Sequence, residues 1–395
     1  ELTHSEMYNA SCTVQNNTLI ITPNVTDPDA TAFALFNDSL NDQGWFTFKV
    51  ITNPDSEDAD QMRCAGALDG YLGQHRIFQR LQLYKDIEKI PRDQPFPGYL
   101  IQWFKINRKY VEDSIKTSQN DTYWESIELI LNQFDGLVEG YNIKAPENEK
   151  LDAYDLWTIQ SVGDVGDITR SLNITLTGNY EFHSMECTGL IMLSPDYQEL
   201  YFAHDTWSDY RKMHNVLKEY NIHTRLHPAK KVMLSTRMGA LASSDDFWVT
   251  DRGLYILETT INISNDELFE NVNPQSLLTW MRNLHASWVS ETAEEWTKEF
   301  IKENSGTYNN QYVVVDTKLF TPGEHPPKNF IYVIEQIPGG YGSQDISDIL
   351  GERRWFPSFN IPFIDEVYEE AGYPDLINQS GDLWDYYSYY NGSRY

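Results

Sequence analysis

The chain is poor in cysteine, in basic charge and in long apolar runs. Of its 395 residues only three are cysteine, at positions 12, 64 and 187. No stretch approaches the eighteen or so consecutive apolar residues of a membrane-spanning helix, so none is expected. Lysine and arginine number 30 against 59 acidic residues, a formal charge of −29. Phosphate backbones repel such a chain, which argues against nucleic acid as a partner. The same charge opposes anionic bilayers and leaves peripheral membrane contact at most. Carboxylates shed charge as pH falls towards about 4, so an acidic, lysosome-like compartment suits the composition.

Several common chemistries also lack their residues. "PGGYGSQD" (338–345) has glycines but no Gly-Lys-Ser/Thr, and reads as a turn after a strand rather than a phosphate cradle. "HTRLH" sets His223 and His227 four apart, without the glutamate of a helical zinc protease and with Pro228 following at once. Asp245-Asp246, in "ASSDDF", reads as a turn with capping side chains rather than a carboxylate pair. There is no Gly-X-Ser-X-Gly elbow. Neither a metal nor a cofactor is expected.

What is present is a secretory texture. Asn-X-Ser/Thr acceptors stand at Asn9, Asn16, Asn24, Asn37, Asn120, Asn173, Asn262, Asn378 and Asn391. Nine exceed what a cytosolic chain would need, and they point to a lysosomal or secreted glycoprotein. Beginning at Glu1, the sequence reads as a mature product whose leader is gone. In an oxidising compartment an odd cysteine needs a reason: an intermolecular bridge, or a thiol with a task. Cys12 and Cys64 could pair with each other, which would leave Cys187 over.

Along the chain, residues 1–30 read as a polar surface segment. "TAFALFNDSLNDQGWFTFKVIT" reads as a helix-like stretch, a break at Gly44, then an alternating strand. From 65 to 165 the pattern is mostly helical. Trp124, Ile127, Ile130, Leu131, Phe134 and Leu137 fall on one face at three- and four-residue spacing. "LDAYDLWTIQSVGDVGDI" reads as a second such helix. Near 170 the texture changes to two strands joined by Ser194-Pro195-Asp196, then an amphipathic helix "SDYRKMHNVLKEY" capped by Ser208 or Asp209. A hairpin about Asp251-Arg252-Gly253, one long helix over "SLLTWMRNLHASWVSETAEEWTKEFIKE" and two further strands follow. Hairpins alternating with helices predict an α+β layered fold of antiparallel sheets covered by helices.

Cys187 opens the apolar run "CTGLIML". Reduced cysteines beside small apolar residues are most often core filler. One chemical alternative fits the position. Cutting the Glu186–Cys187 peptide would put thiol and α-amine on one residue. An α-amine has a pKa near 8 and can serve as base to its own thiol without a histidine.

"CTGLIMLSPDYQELYFAHDTWSDYRKM" resembles the phospholipase B-like family, which carries a Cys-Ser/Thr-Ala/Gly-Leu-Ile strand followed by Ala-His-Asn/Asp-Thr-Trp. "QGWFTFKV", "YWESIELILNQFDGL", "SSDDFWVTDRGLYILETTI", "NSGTYNNQYVVVDTKLF", "YVIEQIPG" and "FNIPFIDEVYEEAGYP" carry the likeness in the family's order over nearly the whole chain. The resemblance implies an N-terminal-nucleophile hydrolase with a four-layered αββα sandwich. The precursor would be cut before the cysteine, and a largely helical prosegment fragment, 1–186, would stay with the nucleophile fragment, 187–395. It implies a lysosomal or secreted enzyme that removes acyl chains from phospholipid or another small acylated substrate.

Carried over residue by residue, the resemblance makes Cys187 the nucleophile and its freed amine the base. His204 and Trp207, from "AHDTW", would flank the pocket, and Thr259 would line it from the neighbouring hairpin. Asn309 or Asn310, in "TYNNQY", would give an amide to the oxyanion. Glu186 stands where family members more often have a small or uncharged residue. The family also continues beyond the stretch matching 360–375, so a C-terminal segment is expected to be missing after Tyr395. Two other readings use the same residues: an amidase on N-acylated lipids or small amides, and a lipid- or glycan-binding glycoprotein that never matures.

Overall fold

The computed structural model describes residues 6–118, 120–174, 186–243 and 245–380. Strands β1 (Glu6–Gln15), β2 (Thr18–Pro23), β3 (Ala32–Asp38) and β4 (Phe46–Thr52) come first, with the single-turn α1 (Leu40–Gln43) before β4. Helices α2 (Asp58–Ile87), α3 (Gly98–Thr117), α4 (Thr122–Lys144), α5 (Ala153–Gln160) and α6 (Val165–Ser171) follow. Next come β5 (Glu186–Leu193), β6 (Leu200–Trp207), β7 (Asn215–Asn221), β8 (Lys231–Arg237), β9 (Phe247–Thr250) and β10 (Leu254–Thr260). Beyond them lie α7 (Thr279–Val289), α8 (Ala293–Phe300), β11 (Asn310–Asp316), β12 (Ile331–Ile337) and β13 (Gly340–Asp345). The described chain closes with α9 (Ser347–Arg353), β14 (Trp355–Ser358), α10 (Asp365–Glu370) and α11 (Tyr373–Ser380). The class is α+β, as the alternation of hairpins and helices predicts.

Two compact units divide these elements, and both are discontinuous in sequence. The first comprises residues 1–162, 209–251 and 280–289. Its strands run in the order β2-β1-β3-β4-β7-β8-β9, with β4 and β7 the parallel pair. The Cys12–Cys64 disulfide ties β1 to α2. Helices α2 and α4 meet through glycines. A Cβ at Gly66 would stand 1.8 Å from the Gln133 carbonyl oxygen, and one at Gly140 would stand 1.9 Å from that of Ala67. No other residue permits so close a backbone approach. The predicted apolar face of α4 is buried throughout, with Phe134 edge-on to Trp157 at 5.0 Å.

Several sequence expectations are corrected in this unit. Residues 6–23 are not a polar surface segment but two strands that bury Ala10, Ser11 and Cys12. Ala32–Asp38 is a strand, not a helix: its burial alternates with the period of two that a pleated strand imposes. The "SDYRKMHNVLKEY" helix is β7 preceded by a single 3-10 turn, which Asp209 caps by accepting from the Arg211 N–H. Strand β7 buries Val216, Lys218 and Tyr220. Lys218 is paired with the equally buried Asp69. The expected helix over 151–168 is two, α5 and α6, broken between Ser161 and Asp164.

The second unit comprises residues 163–208, 252–279 and 290–395. Here β10-β11-β12-β13 form an antiparallel sheet and β14-β5-β6 a smaller one. The small sheet lies on β10: a Cβ at Gly189 would come within 2.6 Å of Leu257 Cδ1. The predicted long helix is two, α7 and α8, because Thr292 caps a new start by accepting from the Glu295 N–H at 3.2 Å. Gly339, in the left-handed region at φ +81°, makes the β12–β13 turn expected of "PGG".

Candidate functional site

Cys187 lies at the start of β5, the middle strand of the small sheet, and is 1% exposed. Its strand buries Cys187, Gly189, Ile191 and Leu193, so these share the inner face. Antiparallel pairing sets Cys187 opposite Thr206, and Gly189 opposite both His204 and Ser358. His204 is therefore on the Cys187 face. Its Nε2 lies 2.8 Å from the Glu258 carbonyl oxygen. A carbonyl only accepts, so Nε2 carries the proton there. Trp207 pairs with Glu186 and stands, 56% exposed, on the opposite face. The Glu186 side chain lies outside the described residues.

On the sheet beneath, Thr259 is buried at the end of β10. Its Oγ1 is 2.7 Å from Ser358 Oγ and accepts the Asn360 N–H at 3.3 Å. Asn360 then reaches both sides. Its Nδ2 donates to the Thr260 carbonyl at 2.8 Å, and its Oδ1 accepts the backbone N–H of Cys187 at 3.2 Å. Its backbone sits at φ +72°, a conformation asparagine tolerates better than most residues. The segment carrying Asn360 is pinned by Glu335, whose carboxylate accepts from the N–H groups of Phe363 and Ile364 and from Gln311 Nε2. Burial pushes the Glu335 carboxyl up to about 7, against those hydrogen bonds.

The two asparagines proposed from the sequence are held differently. Asn309 gives both amide hydrogens away, to Asp167 Oδ2 and to the Gly306 carbonyl, each at 3.0 Å. Burial pushes Asp167 up to about 7, with Asp164 adding to the rise. Asn310 donates to Tyr312 Oη at 3.0 Å, and its Oδ1 has no partner among the described residues. In register it faces Thr260, while Gln311 faces Thr259. Strand alternation therefore puts Gln311, not Asn310, on the side of Thr259. No described hydrogen bond joins either asparagine side chain to Cys187. Asn360, Ser358, Gln311 and Glu335 were not singled out from the sequence. Asn360 lies within "FNIPFIDEVYEEAGYP", but nothing local in that motif announces its reach of 173 residues to Cys187.

Elsewhere, His223 Nδ1 lies 3.0 Å from the Thr52 carbonyl oxygen, and His227 is bound on both nitrogens, to Ser126 Oγ and Thr224 Oγ1. Asp245 and Asp246 are buried rather than solvated. Asp245 pairs with Arg237 at 2.9 Å, and Ser243 Oγ collects the N–H groups of residues 245–247. Of the sequons, Asn16, Asn24, Asn120, Asn173 and Asn262 are exposed, while Asn9 and Asn37 are half-buried in strands. Asn391 and the side chain of Asn378 lie outside the described residues. Among the described residues no helix is long and apolar enough to cross a membrane.

A family model described as Phospholipase B matches residues 32–394. The chain is 33% identical over 372 residues to phospholipase B-like protein B of Dictyostelium discoideum, covering 90% of this chain and 64% of that one. It is 35% identical over 356 residues to phospholipase B-like protein C of the same organism, covering 87% and 62%. With phospholipase B-like 1 of Bos taurus it shares 31% identity over 374 residues, covering 91% and 67%. The chain thus spans somewhat under two thirds of the Dictyostelium relatives B and C.

Proposed function

The chain belongs to the phospholipase B family, and from that premise we propose that it is a lipid acyl hydrolase whose nucleophile is Cys187. Maturation cuts the Glu186–Cys187 peptide into fragments 1–186 and 187–395, which remain associated in a sandwich of the N-terminal-nucleophile type. The carrying observation is the bond from the Cys187 backbone N–H to Asn360 Oδ1. That nitrogen would become the α-amine on cleavage, with Asn360 Oδ1 as its acceptor.

In the reaction the α-amine takes the thiol proton and Cys187 Sγ attacks the acyl carbonyl, forming a C–S bond and an oxyanion. Collapse breaks the ester C–O bond, and the protonated amine returns its proton to the leaving alcohol. Water, deprotonated by the same amine, then splits the thioester and releases the fatty acid. A buried amide donor stabilises the oxyanion; of the two asparagines expected in that role, Asn310 donates one amide hydrogen to Tyr312 and keeps the other, whereas Asn309 gives both away. His204 and Thr259 shape the wall on the Cys187 side. No metal or cofactor enters. A lysosomal or secreted location is supported by the Cys12–Cys64 disulfide and by the exposed sequons.

The test is intact mass with N-terminal sequencing after incubation at pH about 4.5 and about 7, paired with fatty-acid release from phosphatidylcholine and from an N-acyl amide. A new terminus reading Cys-Thr-Gly-Leu with ester hydrolysis supports the proposal. Preferential cleavage of the amide reassigns the substrate. A chain that stays whole and inert, but binds lipid, makes it a binding glycoprotein.

A further inference from the structure

The first unit contains a cavity of about 430 Å³ whose wall is cationic in a strongly acidic chain. Helix α2 supplies Arg76, Arg80 and Leu83 at spacings of four and three, hence from one face. The segment before β7 supplies Arg211 and His214, and β4 supplies Phe46. The Arg76 guanidinium stands 5.1 Å over the Phe46 ring.

The charges do not cancel. Arg76 is paired with Asp38, and Arg211 with Asp209. Arg80, 8% exposed, makes no direct ion pair among the described residues, although Asp245 and Asp69 attract it and Arg237 repels it. It donates instead to the carbonyls of Met238 at 3.0 Å and Ile159 at 3.1 Å. Arg211 engages Asp209 only through Nε and Nη2, and its Nη1 has no partner among the described residues. The His214 ring has no hydrogen bond there either. Burial holds its pKa below the usual value, and Arg237, Arg76 and Arg80 add to that in the same direction. Arg80 is thus the cation of the wall without a direct ion pair, beside an imidazole whose ring makes no hydrogen bond to the described residues.

We propose that this cavity binds a phosphate monoester. The tetrahedral oxyanion would meet Arg80, Arg211 and His214, and the organic substituent would lie along Leu83 and Phe46. Guanidinium N–H groups on Arg80 and Arg211 suit phosphate oxygens, and the His214 ring N–H adds a donor without needing a second charge. The ester could be a lipid headgroup or a soluble metabolite; both present the same group. This site is independent of the Cys187 chemistry.

The experiment is calorimetric titration of the chain with inorganic phosphate and with glycerol phosphate, at low salt because exposed charges are screened. The His214 ring resonance, assigned through His214→Gln, reports where the anion sits. Saturable one-to-one binding is expected, with that resonance moving. Arg211→Gln and His214→Gln should each weaken it about tenfold. Both are at accessible positions, and Arg80→Met is the buried third variant. Cys187→Ala should bind as well as the parent, so loss of hydrolysis and loss of this site are separable. In a second arm, flotation with phosphatidic-acid vesicles that glycerol phosphate reverses identifies a headgroup site. Binding of glycerol phosphate without flotation identifies a soluble ester. No saturable binding of either probe by the folded parent overturns the proposal, as does binding unchanged in both Arg211→Gln and His214→Gln.

Discussion

The backbone N–H of Cys187 donates to Asn360 Oδ1 across 173 residues of sequence, at 3.2 Å. The same Asn360 is tied to Thr259 and Thr260, so the start of β5 and the end of β10 share one amide side chain. An amine at Cys187 would therefore be oriented by a residue just beyond β14 that also holds the end of β10.

We predict that Cys187→Ala abolishes both new-terminus formation and ester hydrolysis while the melting curve stays close to the parent's. Electrophoresis under denaturing conditions and fatty-acid titration read the two activities. Hydrolysis persisting at the parent rate in this variant would end the nucleophile assignment.

Asn360→Ala removes an acceptor that would be facing a charged amine after cleavage. Hydrogen bonds to charged groups contribute roughly 1.5–3 kcal/mol, so kcat should fall about 10- to 100-fold with KM little changed. Asn360→Asp keeps an acceptor oxygen and should recover part of the loss. A fall in stability with kcat intact would mean that Asn360 only braces the strands.

Glu335 and Asp167 have folded pKa values raised to about 7 by burial. Their neutral forms favour the fold, so that contribution is complete below the unfolded values near 4 and is lost as pH rises to about 7. His227, driven down to about 3 by burial, works oppositely, losing its contribution as pH falls from about 6.5. With Asp135 and Asp155 also pushed up by burial, the raised carboxyls outnumber the two depressed imidazoles, His227 and His214, so between pH about 5 and about 7 the midpoint should fall as pH rises. Glu335→Gln should flatten this slope by up to about 1.4 kcal/mol per pH unit. An unchanged slope in scanning calorimetry would refute the assignment.

Asp69 and Lys218 form an ion pair with no exposed side-chain surface. Burial pushes Asp69 up and Lys218 down, and their mutual attraction opposes both shifts. Asp69→Ala leaves a buried ammonium and should cost about 3–5 kcal/mol, whereas Asp69→Leu with Lys218→Met should recover most of it. Urea unfolding of the single and double variants decides. Equal losses in both would show that the charges themselves are needed.

Cys12 and Cys64 close a loop of 52 residues. Chain entropy then assigns the bond about 4 kcal/mol. Cys12→Ser with Cys64→Ser should lower the unfolding free energy by that order, and a change under about 1 kcal/mol would mean that the unfolded chain is already compact there.

The same residues explain what sequence could and could not supply. Helix α4 was legible because every member of its apolar stripe is hydrophobic, from Trp124 to Leu137. Strand β7 was not, because the middle residue of its buried face is Lys218, whose partner Asp69 is 149 residues away. A buried charge reads as solvent-facing until its counter-ion is seen. The β3 stretch misled for a milder reason: its inward positions are Ala32, Ala34 and Phe36, and alanine suits a helix as well as a strand. At the candidate site, Cys187, His204 and Thr259 stood in recognisable motifs and share one region. Asn360 and Gln311 were hidden because their importance comes from register and reach, which one-dimensional spacing does not carry.

Glycine contact between α2 and α4 has a mechanical consequence. Where backbone meets backbone at Gly66 and Gly140, no side chain lies between the helices to change rotamer and absorb a shift. The two helices can slide only by parting altogether, so they behave as one stiff beam, 30 residues along one flange and 23 along the other. Arg76 and Arg80 are mounted on that beam, and any ligand they hold is held from a support that does not bend.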